Sequence, residues 1–185
     1  AADGTVVIAG VGAGPVRGDD VTQEAHALIG SPTAGWQDVA MGSQDIAAPP
    51  GFPNVRFDGA VPANVAHGEN GFVATGWALF YDSSDTDSTM VGAFWHSVDG
   101  LNWQFIDLRD VVGHDKPFVP AALTAVPGGY LAAGLLADST DDRSVIVVLG
   151  STNGIDWNIV STIARTWSLE PTRLIVDGDE VLLTG

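Results

Sequence analysis

The chain has 185 residues, 45% of them hydrophobic, and its 23 acidic side chains against 7 basic ones give a formal net charge of −16. This balance argues against a nucleic-acid partner, because a duplex-binding surface needs clustered lysine and arginine. No apolar run approaches the ~20 residues that membrane insertion as a helix requires. The absence of cysteine excludes disulfides, thiolate metal sites and cysteine nucleophiles.

One pattern recurs four times along the chain: a turn signal, then a short apolar strand that ends in glycine. The copies are residues 3–10, 70–76, 128–134 and 178–185. Their closing glycines are 66, 58 and 51 residues apart. Repeats of about 50 residues are typical of β-propellers built from four-stranded blades.

A second pattern lies between these strands and predicts a tight hairpin. Residues 97–103 read SVDGLNW, residues 151–157 read STNGIDW, and residues 31–36 form a degraded copy, SPTAGW. Asp-Gly and Asn-Gly are strong hairpin signals, because glycine accepts a positive φ and the Asp or Asn side chain bonds the backbone two residues on. We therefore expect Asp99 to accept backbone N–H bonds and Trp103 to be mostly buried over its turn.

These turns resemble the Asp-box (BNR-like) repeat of the sialidase-like β-propeller superfamily, in which a Ser-x-Asp-x-Gly-x-Thr-Trp turn joins the third and fourth strands of a blade. The residues that carry the resemblance are Ser97, Asp99, Gly100, Trp103, Ser151, Asn153, Gly154 and Trp157. The turns here are one residue shorter between Asp and Gly, and one copy has Asn in place of Asp. Such turns are structural, so the resemblance implies a fold and no particular activity.

The repeat and the resemblance together predict an all-β protein, a β-propeller of four-stranded antiparallel blades of which about three are present. The approximate blades are residues 1–59, 60–118 and 119–170, with the start of a fourth at residues 171–185. Propellers usually have 4–8 blades, so the thirteen strands that we count in the sequence predict an incomplete ring. We expect the remaining blades to come from the same polypeptide or from a partner chain.

Residues 25–30 have two interpretations. Residues 20–23 read DVTQ, which is typical of a capping box that opens a helix, whereas the repeat places residues 25–30 in a third strand. Consistency across the repeats favours the strand. We also expect residues 11–24 to form a loop between strands, and the strands at residues 5–10 and 181–185 to lie at the two ends of an arc.

In enzymes with Asp-boxes the active site lies on the opposite face of the propeller, which the resemblance makes the ligand face here. Three arginines occupy equivalent inter-blade links on that face, Arg56, Arg109 and Arg165. Arginine forks match carboxylates, so these residues predict a carboxylate- or sugar-binding pocket. The alternative is that they pair with neighbouring acids. Trp167, in a link, is a candidate platform for sugar stacking.

Sialidases use a Tyr nucleophile with a Glu partner, and the resemblance points to Tyr81 and Glu170 on the ligand face. His114 is a further candidate for proton transfer. The acidic loop with Asp82, Asp85 and Asp87 offers oxygen ligands that Ca²⁺ favours, although a solvated hairpin loop is the simpler explanation of these residues.

A structural repeat without a catalytic signature favours a protein- or glycan-binding module, secreted or on the cell surface. The alternative is a sialidase-like glycoside hydrolase.

Overall fold

The computed structural model describes residues 5–17, 20–42, 46, 48, 55–82, 88–113, 117–137, 144–164, 171–178 and 180–185, with the backbone alone at 13–17 and 20–22. These residues form thirteen strands and one helical turn. The strands are β1 (Val6–Arg17), β2 (Asp20–Ser31), β3 (Gly35–Ala40), β4 (Arg56–Gly68), β5 (Gly71–Tyr81), β6 (Ser88–Ser97), β7 (Gln104–Ile106), β8 (Phe118–Val126), β9 (Gly129–Ala137), β10 (Ser144–Ser151), β11 (Asn158–Ala164), β12 (Arg173–Asp177) and β13 (Glu180–Thr184), and the helical turn is α1 (Arg109–Val112).

The strands pair with their neighbours along the chain in four antiparallel units. Unit 1 consists of β1–β3, unit 2 of β4–β7, unit 3 of β8–β11 and unit 4 of β12–β13. A single parallel bridge, between Gln23 and Gly59, joins the backbones of units 1 and 2. The all-β class and the antiparallel pairing are therefore as predicted from the sequence.

Residues 25–30 lie in β2, which pairs with both β1 and β3. The strand interpretation is confirmed, and the helical alternative is wrong. The loop predicted at residues 11–24 is also wrong, because the β1–β2 ladder continues to the pair of Arg17 and Asp20. Glycine and alanine in this stretch have low strand propensity, and pairing with β2 overrides that preference.

The hydrophobic core lies between neighbouring units. Trp157 of unit 3 packs edge-on against Phe94 of unit 2, with ring centroids 5.1 Å apart, and both side chains are buried. Between units 1 and 2, Ala25 and Ala27 of β2 share a buried cluster with Trp95 of β6. A smaller buried cluster joins β12 to unit 3. Small side chains let the sheets approach closely, and the aromatic rings fill the wider gaps.

The described ladders do not close into a ring. β1 pairs with β2, β13 pairs with β12, and no ladder in the described residues joins β1 to β13. The number of blades, their boundaries and the arc therefore stay predictions.

A buried hydroxyl links units 2 and 3. Tyr130 of β9 is 1% exposed and donates to the carbonyl oxygen of Gly71 at 2.8 Å, while burial raises the pKa of Tyr130 and keeps its hydroxyl protonated. We expect Tyr130→Phe to lower the free energy of unfolding by about 1–2 kcal/mol, because a buried carbonyl loses its donor. Urea denaturation measures this, with Tyr81→Phe, at a partly exposed position, as the control. Equal stabilities of the two variants would contradict the inter-unit bond.

Candidate functional site

The turn after β6 is held by side-chain acceptors. Ser97 Oγ accepts from the backbone N–H of Gly100 at 2.8 Å, and Asp99 Oδ1 accepts from the N–H groups of Leu101 and Asn102, each at 2.8 Å. The predicted backbone bonds of Asp99 are therefore confirmed. They satisfy N–H groups that the tight turn leaves without a backbone partner.

These bonds stabilise the ionised form of Asp99. The backbone N–H of Asn102, its side-chain amide at 2.8 Å from Oδ2, and the backbone N–H of Leu101 hold the pKa of Asp99 well below its usual range. Hydrogen bonds to a carboxylate favour its charged form, so the turn is most stable when Asp99 is deprotonated.

The turn after β10 repeats this arrangement with a neutral side chain. Asn153 Oδ1 accepts from the N–H groups of Ile155 and Asp156 at 2.9 and 2.8 Å, and Ser151 Oγ accepts from Gly154 at 2.8 Å. Asn153 also donates through Nδ2 to Asp156 Oδ2 at 2.8 Å. The first turn thus has Asp followed by Asn at these two positions, and the second turn has Asn followed by Asp. The hydrogen bonds to the backbone are the same in both turns.

Each of these two turns is covered by its tryptophan. The indole N–H of Trp103 donates to the carbonyl oxygen of Gly100 at 2.8 Å, and that of Trp157 donates to Gly154 at 3.1 Å. Trp157 is 4% exposed, whereas Trp103 is only partly buried. The burial predicted for Trp103 is therefore less complete than that of its counterpart.

The degraded copy after β2 keeps one of these bonds. Ser31 Oγ accepts from the N–H of Ala34 at 3.1 Å, and Thr33 stands where the other turns have Asp or Asn. Gly35 supplies the positive φ, +85°, and Trp36 is 48% exposed. This turn has the hairpin of the other two without their covering contacts.

A cleft of about 470 Å³ opens where the β4–β5 turn of unit 2 meets the β10–β11 turn of unit 3. Asn70 Nδ2 donates to the carbonyl oxygen of Thr152 at 2.8 Å, and His96 Nε2 donates to the carbonyl oxygen of Asn70 at 2.8 Å. The side chains that line the cleft are His67, Glu69, Asn70, His96, Val98 and Asn153. The cleft lies on the side of the molecule that carries the Asp-box-like turns.

On the predicted ligand face, the described arginines have acidic neighbours. Arg56 lies 3.8 Å from Asp58, and Arg109 forms a two-pronged ion pair with Asp107, which raises the pKa of Arg109. Pairing with nearby acids, the alternative interpretation of these arginines, thus applies to both. The β4–β5 ladder places Arg56 directly opposite Tyr81, so the structure brings these two candidates together.

The other candidates on that face are Arg165, Trp167, Glu170, His114, Asp85 and Asp87, and they lie outside the described residues. Asp82 follows β5 directly. No group of three or more His, Asp or Glu side chains in the described ranges could hold a metal ion. The helical element that those ranges contain, α1, is far shorter than a bilayer crossing requires.

Sequence reasoning missed the cleft. Its histidines and Glu69 belong to no motif, and they meet only because the β4–β5 turn and the Asp-box-like turns share one side of the sheets. The Glu-Asn-Gly segment at residues 69–71 was the available signal, since it marks the turn whose Asn70 reaches the neighbouring unit.

No family model matches the chain, and a search of curated proteins finds no relative. The resemblance to Asp-box propellers therefore depends on the residue pattern described above.

The ionisation of Asp99 predicts a pH effect. Its folded pKa lies below the unfolded value, so its contribution to stability is present above the ordinary Asp pKa of about 3.9 and is lost as the pH falls. Asp99→Asn keeps an Oδ1 acceptor and removes the titration. We expect the free energy of unfolding of the wild type to exceed that of the variant by about 1 kcal/mol at pH 6, and this difference to narrow towards pH 2. The difference is modest because water screens the exposed carboxylate. A gap in urea denaturation that stays constant over this range would contradict the assignment.

The close contact between the β10–β11 turn and unit 2 predicts how alanine substitutions at turn glycines change stability. Gly154 has φ +79°, and a Cβ there would lie 2.7 Å from His96 Cδ2 and 2.9 Å from Val73 Cγ2. Gly35 has φ +85° with nothing within 4 Å of its Cβ position. We expect Gly35→Ala to cost about 1–2 kcal/mol from backbone strain alone, and Gly154→Ala to cost about 1–3 kcal/mol more from overpacking. Equal losses of unfolding free energy in Gly35→Ala and Gly154→Ala would show that the turn of unit 3 does not pack against unit 2.

Proposed function

We propose that the chain is a segment of a β-propeller and acts as a protein- or glycan-binding module without catalytic chemistry of its own. The support for a propeller is the agreement between the sequence repeat and a series of antiparallel sheets that pack face to face. The remaining blades would come from the same polypeptide or from a partner chain. The module would act outside the cell or on its surface.

The cleft between units 2 and 3 is the observation that carries the binding function. Its edges are held before any ligand arrives, because Asn70 and Asn153 are each fixed by hydrogen bonds to backbone groups. A pre-organised site loses less conformational entropy on binding than a flexible one. A ligand would therefore meet polar groups that already have the required positions.

The chemistry of the cleft favours a neutral, hydroxyl-rich ligand, which makes a glycan its best-fitting occupant. The exposed side chains of His67, Glu69 and Asn70 supply both donors and acceptors, and sugar hydroxyls need both. Glu69 and the net charge of −16 oppose an anionic ligand. Sialylated glycans should accordingly bind less well than neutral ones.

The alternative, a sialidase-like glycoside hydrolase, has one observation in its favour, which is the position of Arg56 opposite Tyr81 across β4 and β5. Against it, the guanidinium groups of Arg56 and Arg109 each face a neighbouring carboxylate. An arginine held in this way has less capacity to bind a substrate carboxylate.

The binding function is tested on an array of neutral and sialylated oligosaccharides. We expect at least one neutral glycan to bind, with its affinity weakened about tenfold or more by Glu69→Ala, because a hydrogen bond to a charged group contributes about 1.5–3 kcal/mol. Glu180→Ala, an exposed glutamate of unit 4 with the same change of charge, is the control and should bind as wild type does.

Equal binding by the two glutamate variants, or no binding of any neutral glycan, would contradict a ligand site in the cleft. Turnover of a fluorogenic sialoside that Tyr81→Phe abolishes would instead establish the hydrolase alternative.

A further inference from the structure

Two of the asparagines in the chain are followed by glycine, Asn70 in the turn between β4 and β5 and Asn153 in the turn between β10 and β11. The other asparagines are followed by valine, tryptophan or isoleucine. Glycine has no Cβ to cover its own backbone nitrogen, so that nitrogen has access to the side-chain amide of the preceding asparagine. The two Asn-Gly pairs are therefore the positions at which loss of an amide is sterically easiest.

This reaction converts an amide into a carboxylate and consumes one water molecule. The backbone nitrogen of the glycine forms a bond to Cγ of the asparagine, the Cγ–Nδ2 bond breaks, and the amide nitrogen leaves as ammonia with the proton of the glycine N–H. Water then opens the cyclic imide. Addition at Cγ gives aspartate, and addition at the main-chain carbonyl carbon gives isoaspartate, in which the backbone runs through Cβ.

The hydrogen bonds around Asn153 oppose this reaction. Its Oδ1 accepts from the N–H groups of Ile155 and Asp156, and its Nδ2 donates to Asp156 Oδ2. The N–H of Gly154 donates to Ser151 Oγ at 2.8 Å, which favours the protonated nitrogen. The amide of Asn153 can turn towards Gly154 only if several hydrogen bonds break, and each of them contributes to stability.

The surroundings of Asn70 favour the reaction. Asn70 is exposed, and in the described part of the chain its side chain is held by a single hydrogen bond, from Nδ2 to the carbonyl oxygen of Thr152. Its main-chain carbonyl oxygen accepts from His96 Nε2 at 2.8 Å. This oxygen and the nitrogen of Gly71 belong to one peptide group, which becomes negatively charged when the nitrogen loses its proton. A donor at the oxygen stabilises that charge.

We propose that Asn70 is a site of spontaneous deamidation in the folded protein, and that Asn153 is protected from the same reaction. Water is the co-reactant, and no other reagent is needed. The inference depends on the chemistry of two turns and not on ligand binding, although Asn70 also lines the cleft.

Deamidation of Asn70 weakens the contact between units 2 and 3. A carboxylate oxygen in place of Nδ2 faces the carbonyl oxygen of Thr152, and neither of these two acceptors carries a proton to share. In isoaspartate, the additional backbone carbon displaces the carbonyl group of Gly71, which accepts from Tyr130 at 2.8 Å. Thr152 and Tyr130 both belong to unit 3, so the modification acts on the contact between the two sheets.

Ageing of the folded chain in mildly alkaline buffer tests the proposal. Tandem mass spectrometry locates the mass gain that accompanies replacement of an amide NH₂ by OH, and enzymatic methylation detects isoaspartate. We expect Asn70 to react at least about tenfold faster than Asn153, because more hydrogen bonds must break before the amide of Asn153 can turn. In urea, where these bonds are absent, the two pairs should react at similar rates.

Asn70→Gln is the matched variant, since its longer side chain closes a larger ring and reacts far more slowly. Aged wild type should unfold at a lower urea concentration than fresh wild type, whereas aged and fresh Asn70→Gln should unfold at the same concentration. Each protein is compared with its own fresh sample, so the effect of the substitution itself cancels.

Equal rates at Asn70 and Asn153 in the folded chain would overturn the proposal. An unmodified Asn70 after the unfolded chain has reacted at both pairs would also overturn it. If Asn70→Gln lost as much stability on ageing as wild type does, the proposed effect on the contact between units 2 and 3 would be wrong.

Discussion

The packing of the units depends on the contact between a turn glycine of one unit and the side chains of the preceding unit. A Cβ on Gly100 would lie 2.5 Å from Ile29 Cδ1, and a Cβ on Gly154 would lie 2.7 Å from His96 Cδ2 and 2.9 Å from Val73 Cγ2, so a methyl group fits at either position only if a side chain of the preceding unit shifts. Because the turn belongs to one sheet and the contacted side chains to another, this contact fixes how far apart the sheets lie and in which direction they follow each other. Alanine side chains fill the space next to this contact between units 1 and 2, and aromatic rings fill it between units 2 and 3.

The polar half of the same turns explains why they keep their shape. Ser97 with Asp99, and Ser151 with Asn153, replace backbone partners that a tight turn cannot supply. Charge is not essential to this function, since a neutral amide accepts the same two N–H bonds. The cleft lies where the polar turn of unit 3 meets the tip of the β4–β5 hairpin of unit 2.

The sequence was sufficient for those features that depend on local chemistry. Asp99, Asn153 and their glycines could be assigned because Asp-Gly and Asn-Gly have strong turn preferences in short peptide segments. The strand at residues 25–30 required the repeat as well, because its local pattern was ambiguous.

Features that depend on tertiary contacts were harder to predict from the sequence. The extension of β1 and β2 through Gly12 to Asp20 contradicts local propensity and follows from pairing. The pairing of Arg56 and Arg109 with nearby acids was an expectation from the sequence, but the geometry of each ion pair depends on side-chain rotamers that the sequence does not specify. His67 and His96 meet in one cleft through the packing of two units, for which neither residue carries a local signal.

The contact between each turn glycine and the preceding unit can be measured directly. A nuclear Overhauser experiment on the methyl-labelled chain should show cross-peaks from the Hα protons of Gly100 to the δ1 methyl of Ile29, and from those of Gly154 to the γ2 methyl of Val73, since these groups are in contact across the unit boundaries. The absence of both cross-peaks in a folded sample, with the intra-unit peaks between β5 and β6 present, would contradict these contacts between units.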